Sequence, residues 1–126
     1  MARLSRRAII WEGFIAGLIG GATFAAGQTL AAALSGMPPG APWQFFASVV
    51  AGGEGVYEEV TFTSFFLGAF IHFALSALFG TLFGWIVAQI SRPVRNNLSL
   101  ELTGGALYGL VLWVINVQLV GRWLYP

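Results

Sequence analysis

Three long apolar stretches, separated by polar or proline-rich segments, dominate the pattern of this chain. They run over about 8–34, 63–90 and 100–124. Each exceeds the roughly 20 residues that an α-helix needs to cross the hydrocarbon core of a bilayer. The pattern therefore predicts a single all-α transmembrane domain over residues 1–126 with three spanning helices.

A fourth apolar stretch is too short to span. The loop SGMPPGAP, at 35–42, ends the first helix, because its prolines and glycines favour turns. The stretch WQFFASVVAGG follows, and Pro42 suits the first position of a helix. We predict a short interfacial or re-entrant helix at about 42–53 on the outer face. Three glutamates then return the chain to water: Glu54, Glu58 and Glu59.

The arginines predict the orientation. In a three-span topology one side carries most of them, namely Arg3, Arg6, Arg7, Arg92 and Arg95. The other side carries the three loop glutamates and Arg122. The positive-inside rule then places the N-terminus in the cytoplasm and the C-terminus outward. The first apolar stretch is far longer than the core of a signal peptide, so we interpret it as a retained helix.

Composition supports a membrane protein and excludes several functions. Hydrophobic residues make up 57% of the 126 residues and charged ones 9%, with a mean hydropathy of +0.78. Soluble domains average about a quarter charged residues, so lipid is expected to cover most of this surface. Cysteine is absent, which excludes disulfides and thiol chemistry. The net charge of +1 offers no basic face for nucleic acid.

Glycines recur at four-residue spacing in each predicted span. A four-residue spacing makes one slowly winding groove on a helix, and small residues let two helices approach closely. We predict helix packing through these grooves, either within the chain or against a partner subunit or second copy. The glycines are Gly13, Gly17 and Gly21 in the first span, Gly68, Gly80 and Gly84 in the second, and Gly105 and Gly109 in the third.

Polar side chains of all three spans are expected at similar depth in the outer half. Polar residues at such depth usually face the interior of a helix bundle. The short Trp43 helix would cover them. The cluster is either a set of interhelical hydrogen bonds or a small ligand-binding site, and the candidate binding residues are His72, Ser76, Asn116 and Gln28.

His72 is the only histidine and the only candidate for a metal-bearing cofactor. Neutral imidazole ligates haem iron and equally a chlorophyll magnesium. Gly68, one turn earlier, leaves room for a flat macrocycle, a spacing that resembles antenna light-harvesting polypeptides. We therefore keep a haem or chlorophyll-type pigment as an alternative. No cluster predicts a metal site built from protein ligands alone.

Catalytic motifs are missing from the sequence. It has no HExxH, no GxSxG, no phosphate-binding GxxxxGKS loop and no paired intramembrane carboxylates. Glu12 and Glu101 are expected in the first turns of their helices, where a carboxylate complements the helix dipole. Neither lies near the membrane midplane, which argues against proton transport. We predict that the chain is not an enzyme.

Several short motifs carry a family resemblance. They are Gly13 with Ala16-Gly17, Gly68 with His72-Phe73, and GALYGLVLW at 105–113. In this respect the chain resembles small uncharacterised bacterial inner-membrane proteins of the YagU-like kind. The resemblance implies a compact helical protein of the bacterial plasma membrane with no established activity.

These features together predict a non-catalytic accessory or structural subunit of a larger membrane complex, of the respiratory or photosynthetic type. Its partners would be membrane lipids and other membrane subunits, bound through the glycine-rich faces. Two alternatives stay open. One is a lipid- or tetrapyrrole-binding protein that uses His72, and the other is a small homo-oligomeric channel or carrier.

Overall fold

A computed structural model describes residues 5–52, 60–120 and 122, and these residues are helical with short connections and no strand. The expected all-α fold is confirmed at this level, since three helices are long and apolar enough to cross a membrane. The predictions that involve Arg3, the three glutamates at 54–59 and the chain after Arg122 lie outside the described residues. The elements are α1 (Arg6–Leu34), α2 (Ala41–Ala51), α3 (Phe62–Val87), α4 (Arg92–Arg95) and α5 (Leu98–Trp113), which continues as a π-helix over Val114–Val120.

Side-chain caps explain where the long helices begin. The Ser5 hydroxyl accepts a hydrogen bond from the Ala8 amide at 3.2 Å, and α1 therefore starts at Arg6 rather than near residue 8. Thr61 and Ser64 form a reciprocal capping box at α3. The Asn97 side chain caps α5 by accepting hydrogen bonds from the Ser99 and Leu100 amides. One correction follows: Glu12 lies in the second turn of α1 and not in the first.

α1 and α3 pack so closely that their backbones touch. A Cβ atom built at Gly13 would lie 2.5 Å from the Gly80 carbonyl oxygen and 2.7 Å from the Gly84 Cα. One built at Gly17 would lie 2.8 Å from the Gly80 Cα. No side chain fits at such distances, so only glycine allows this crossing. Dispersion and Cα–H···O contacts then act directly between the two backbones.

α2 lies against the first half of α3 and runs in the same direction. The Trp43 carbonyl group sits directly over Gly68, and the Phe46 ring contacts the His72 ring farther along α3. α2 buries its polar and small residues, namely Gln44, Ala47 and Ser48, and exposes Phe45, Val49 and Val50. A helix at a water interface would turn its polar side outward. α2 shows the reverse arrangement.

α5 is joined to the rest by a narrow contact. The Tyr108 hydroxyl donates a hydrogen bond to the Phe79 carbonyl oxygen at 2.7 Å, and its ring lies 4.9 Å from that of Phe83. No residue of α5 is buried. Its α-helical part would rise only about 24 Å, which is short of the ~30 Å hydrocarbon core, so the π-helical continuation is needed to complete a span.

Candidate functional site

His72 lies at the junction of α1, α2 and α3, about 4 Å from the middle of α3 along the helix axis. Its side chain is 8% exposed. Nε2 lies 2.9 Å from the Gly21 carbonyl oxygen on α1. A carbonyl oxygen only accepts, so Nε2 carries the proton and donates it. The imidazole is therefore held in the tautomer with Nε2 protonated, and it joins two helices.

Aromatic rings surround the imidazole. The Phe46 ring of α2 stacks on it with centroids 4.4 Å apart and planes 23° from parallel. The Phe24 ring of α1 is nearly parallel to it at 6.0 Å, while the Trp43 and Phe73 rings are inclined to it at 88° and 70°. One polar side chain thus sits inside an aromatic enclosure built by three helices. The rings exclude water from the hydrogen bond to Gly21, which strengthens that bond.

The structure brings together two of the four predicted binding residues. The Ser76 hydroxyl donates to the His72 carbonyl oxygen at 2.8 Å and packs against Gly21. Asn116 instead donates to Leu112 of its own helix at 2.8 Å, and the Gln28 side chain is exposed. Neither is hydrogen-bonded to His72. Similar depth in a membrane therefore did not imply a common site, because depth does not specify the direction in which a side chain points.

The predicted packing glycines fall into three environments. Gly13, Gly17, Gly21, Gly80 and Gly84 lie in the contact between α1 and α3, and Gly68 lies against α2. On α5 the situation differs. A Cβ atom at Gly105 would approach only the Phe83 ring, at 3.9 Å, and one at Gly109 would meet no atom within 4 Å.

The geometry around His72 is not that of an axial ligand to a tetrapyrrole. Nε2, the nitrogen farthest from the backbone, is engaged by Gly21. The space above Gly68, where the sequence suggested room for a flat macrocycle, is filled by the Trp43 backbone. A pigment would have to displace both contacts. Among the described residues no three His, Cys, Asp or Glu side chains gather as a metal site.

Several threonine hydroxyl groups of the long helices bond to the backbone of their own helix. Thr23, Thr81 and Thr103 each donate to the carbonyl oxygen four residues earlier, at 2.7–3.0 Å. This pattern satisfies hydroxyl groups without any partner helix, as apolar surroundings require. None of these three hydroxyl groups forms a reactive cluster with His72.

Two open grooves flank the α1–α3 pair. The first, of about 560 Å³, has an alanine floor on α1 and is closed on one side by Trp43 and Phe73. The second, of about 490 Å³, lies near the other end of the pair. It is lined by Arg7, Ile10, Trp11 and Phe14 of α1 and by Thr81 of α3.

The aromatic enclosure and the buried polar face of α2 were not predicted from the sequence. The signals were present: Phe73 adjoins His72, and Gln44 and Ser48 stand four residues apart in an otherwise apolar helix. These signals did not lead to the prediction, because α2 was expected to lie over the end of the bundle. In the structure it lies along α3.

Comparisons with known proteins found no match, whether with family models, with curated proteins or with solved structures. The class of this protein therefore rests on the fold and the site. Three helices long enough to span suggest a multi-pass membrane protein, whose first two long helices are joined through glycine contacts and one buried imidazole. The resemblance to YagU-like proteins stays a prediction.

Proposed function

We propose that this chain is a non-catalytic, multi-pass protein of the bacterial plasma membrane that serves as an accessory subunit of a larger membrane complex. α5 is the helix that binds the other subunits. The observation that carries this proposal is the contrast between α5 and the other two long helices. The glycines at four-residue spacing in α1 and α3, such as Gly13, Gly17 and Gly80, meet backbone atoms of the facing helix, whereas Gly109 of α5 has no neighbour within 4 Å of a built Cβ and no described residue of α5 is buried. Gly20 and Gly27 of α1 also face open space, but they do not belong to that four-residue series.

Glycine without a close neighbour brings a helix no benefit. In helix interiors it is about 1 kcal/mol less favourable than alanine in water, and in membranes its main use is to let another helix approach. Gly109 has this small surface, and the large exposed side chains of Leu102 and Trp113 lie on the same stripe of α5, seven residues before it and four after it. A partner helix seated on Gly109 would be flanked by these side chains. The π-helical turns that follow are also of a kind frequently found at functional sites.

A structural rather than catalytic role is supported by how the polar groups are used. His72 holds two helices together, and Ser76, Thr81 and Asn116 bond to their own helices. No described group is both buried and positioned to activate a substrate. The polar groups of the described residues thus serve to hold the helices together and to satisfy their own backbones.

The arrangement of α2 supports a membrane location in which this helix is re-entrant. Its outer face consists of Phe45, Val49 and Val50, the last being 70% exposed, while Gln44 and Ser48 are turned inward. This face suits lipid and not water. α2 would enter from the side opposite the N-terminus and descend along α3 past the depth of His72, because Phe46 in the middle of α2 already contacts that residue. The arginine distribution supports an orientation with the N-terminus in the cytoplasm and the C-terminus outside.

The test is gentle detergent extraction at native expression, followed by native mass measurement. The wild-type chain, of 13.5 kDa, is expected in a larger particle with other chains at fixed stoichiometry. Gly109→Phe should release it from that particle, because the new ring occupies the open surface of α5. Gly20→Phe is the matched control, since Gly20 on α1 also has no atom within 4 Å of a built Cβ.

Two results would count against the accessory role. A particle that contains only this chain would contradict the accessory role. If that particle is a symmetric oligomer, the result would favour the homo-oligomeric channel or carrier. Equal release by Gly109→Phe and Gly20→Phe would show that α5 is not the docking helix.

A further inference from the structure

We propose that the groove of Arg7, Ile10, Trp11, Phe14 and Thr81 binds one anionic phospholipid from the leaflet that faces the N-terminus. The proposal rests on the proposed membrane location but not on the role as an accessory subunit. The groove has the two parts that a phospholipid requires: a cationic end for the phosphate and an apolar channel for an acyl chain.

The channel follows from the helix geometry of α1. Arg7, Ile10, Trp11 and Phe14 have the i, i+3, i+4, i+7 spacing that places side chains on one stripe of a helix. The glycine contact with α3 lies on the neighbouring face, so the stripe forms one wall of the cleft between the two helices. Thr81 of α3 forms the opposite wall, and its hydroxyl group already donates to Ala77 at 2.7 Å. It therefore presents mainly its methyl group as an apolar surface.

Two stacked aromatic rings form part of the wall of the channel. The Trp11 and Phe14 rings stack with centroids 5.0 Å apart and planes 13° from parallel. Trp11 is nevertheless 61% exposed. Tryptophan at this level of a membrane protein contacts both the headgroup region and the first methylene groups. Such a surface suits an extended hydrocarbon chain better than a compact polar molecule.

The cationic end of the groove is available to a ligand. Arg7 is exposed, and no acidic side chain among the described residues forms an ion pair with it. The nearest acid in sequence, Glu12, lies about 140° away around the helix. From Arg7 to Phe14 the helix rises about 10 Å, so the guanidinium group can reach the headgroup level while the rings line the acyl region. Charge complementarity therefore selects an anionic phospholipid, as for basic pockets between helices on the cytoplasmic side.

The experiment uses tryptophan quenching by brominated phospholipids in vesicles. The Trp11 signal is the difference between each protein and its W11F counterpart. Dibromo-phosphatidylglycerol should quench this signal at about fivefold lower mole fraction than dibromo-phosphatidylcholine, which corresponds to about 1 kcal/mol for one arginine near the surface. Arg7→Gln should remove this preference. Arg6→Gln removes the same charge one residue earlier, outside the groove, and should keep it.

A second pair of variants tests the channel itself. Thr81→Phe fills the wall opposite Trp11 and should weaken quenching by both lipids. Leu82→Phe, at an exposed position next to it, should not. Equal quenching by the two lipids in the wild type, or equal loss in Arg6→Gln and Arg7→Gln, overturns the site. Absence of quenching by any lipid overturns the membrane location and the site together, whereas the absence of partner chains leaves the site intact.

Discussion

His72 of α3 donates a hydrogen bond from Nε2 to the carbonyl oxygen of Gly21 of α1, 2.9 Å away. The acceptor is a backbone group, so it is fixed in position by the helix. It is also reached only because Gly21 has no side chain, as a Cβ atom there would collide with Ser76. The glycine contact between α1 and α3 and the His72 hydrogen bond therefore depend on each other, because the bond forms only where the two backbones approach closely.

His72→Phe is expected to lower the free energy of unfolding by about 0.6–2 kcal/mol, the range for an interhelical hydrogen bond in a membrane. Phenylalanine keeps the stacking with Phe46 and loses only the donor. His72→Ala also removes the ring, so the loss should rise by about 2–3 kcal/mol for the cavity. Unfolding in mixed micelles, followed by circular dichroism, measures both. A neutral His72→Phe would mean that the bond contributes nothing.

A purified preparation is expected to be colourless above 300 nm. The physical reason is that Gly21 engages the nitrogen that would ligate a metal, and Trp43 fills the space above Gly68. An absorbance spectrum of the gently extracted protein is the measurement. A Soret or chlorophyll band that disappears in His72→Ala would contradict the expectation and establish pigment ligation.

Gly17→Ala is expected to destabilise the fold by about 1–3 kcal/mol, the typical cost of overpacking a tight contact. The new Cβ would lie 2.8 Å from the Gly80 Cα, and a backbone cannot move away as a flexible side chain can. Gly20→Ala is the matched control, because Gly20 faces open space on the same helix. It should be neutral or slightly stabilising. Thermal unfolding in detergent compares the stabilities of the two variants. Equal losses of stability would show that Gly17 does not lie in the contact between α1 and α3.

Single cysteines can report the orientation, since the chain has none of its own. Met37→Cys, in the exposed connection between α1 and α2, should react with an impermeant maleimide in intact spheroplasts. Asn96→Cys, in the connection before α5, should react only after lysis. The physical reason is the arginine distribution across the two sides. The reverse labelling pattern would show that the N-terminus faces outward.

The embedding of α2 has its own test. Val50→Cys should resist the maleimide both before and after lysis, because lipid would cover the outward face of a re-entrant helix and keep its thiol from ionising. Met37→Cys serves as the reactive control in the same preparation. Rapid labelling at residue 50 would instead place α2 at the water interface.

The sequence was sufficient to predict the number of long helices and the existence of the short one, because apolar length and proline-rich breaks are local properties. The four-residue glycine spacing also marked the faces of α1 and α3 that meet. Depth along a span, however, did not predict neighbours. Gln28 and Asn116 were grouped with His72 by depth, and the structure turns them elsewhere. The direction of a side chain depends on helix rotation and crossing, which a single sequence does not contain.

The position of α2 was the least accessible feature. Its partner face contains Gln44 and Ser48, which are only 6% and 2% exposed. For a helix that faces water, this pattern of polar and apolar residues predicts that Gln44 and Ser48 lie on the surface. In lipid the rule reverses, since hydrogen-bonding groups turn inward and valine turns outward. The same sequence pattern thus predicts opposite orientations, and the surrounding medium decides between them.

The long separation in sequence between Gly13 and Gly80 has a consequence for biogenesis. The ribosome completes α1 well before the segment that contains Ser76 and Gly80. With the proposed membrane location, the glycine face of α1 would therefore enter the bilayer with no partner available. Helices in membranes are stable individually before they associate. A nascent chain arrested between α2 and α3 would therefore present an unpaired small-residue face, and such fragments are expected to pair with one another until full-length α3 displaces the neighbouring copy.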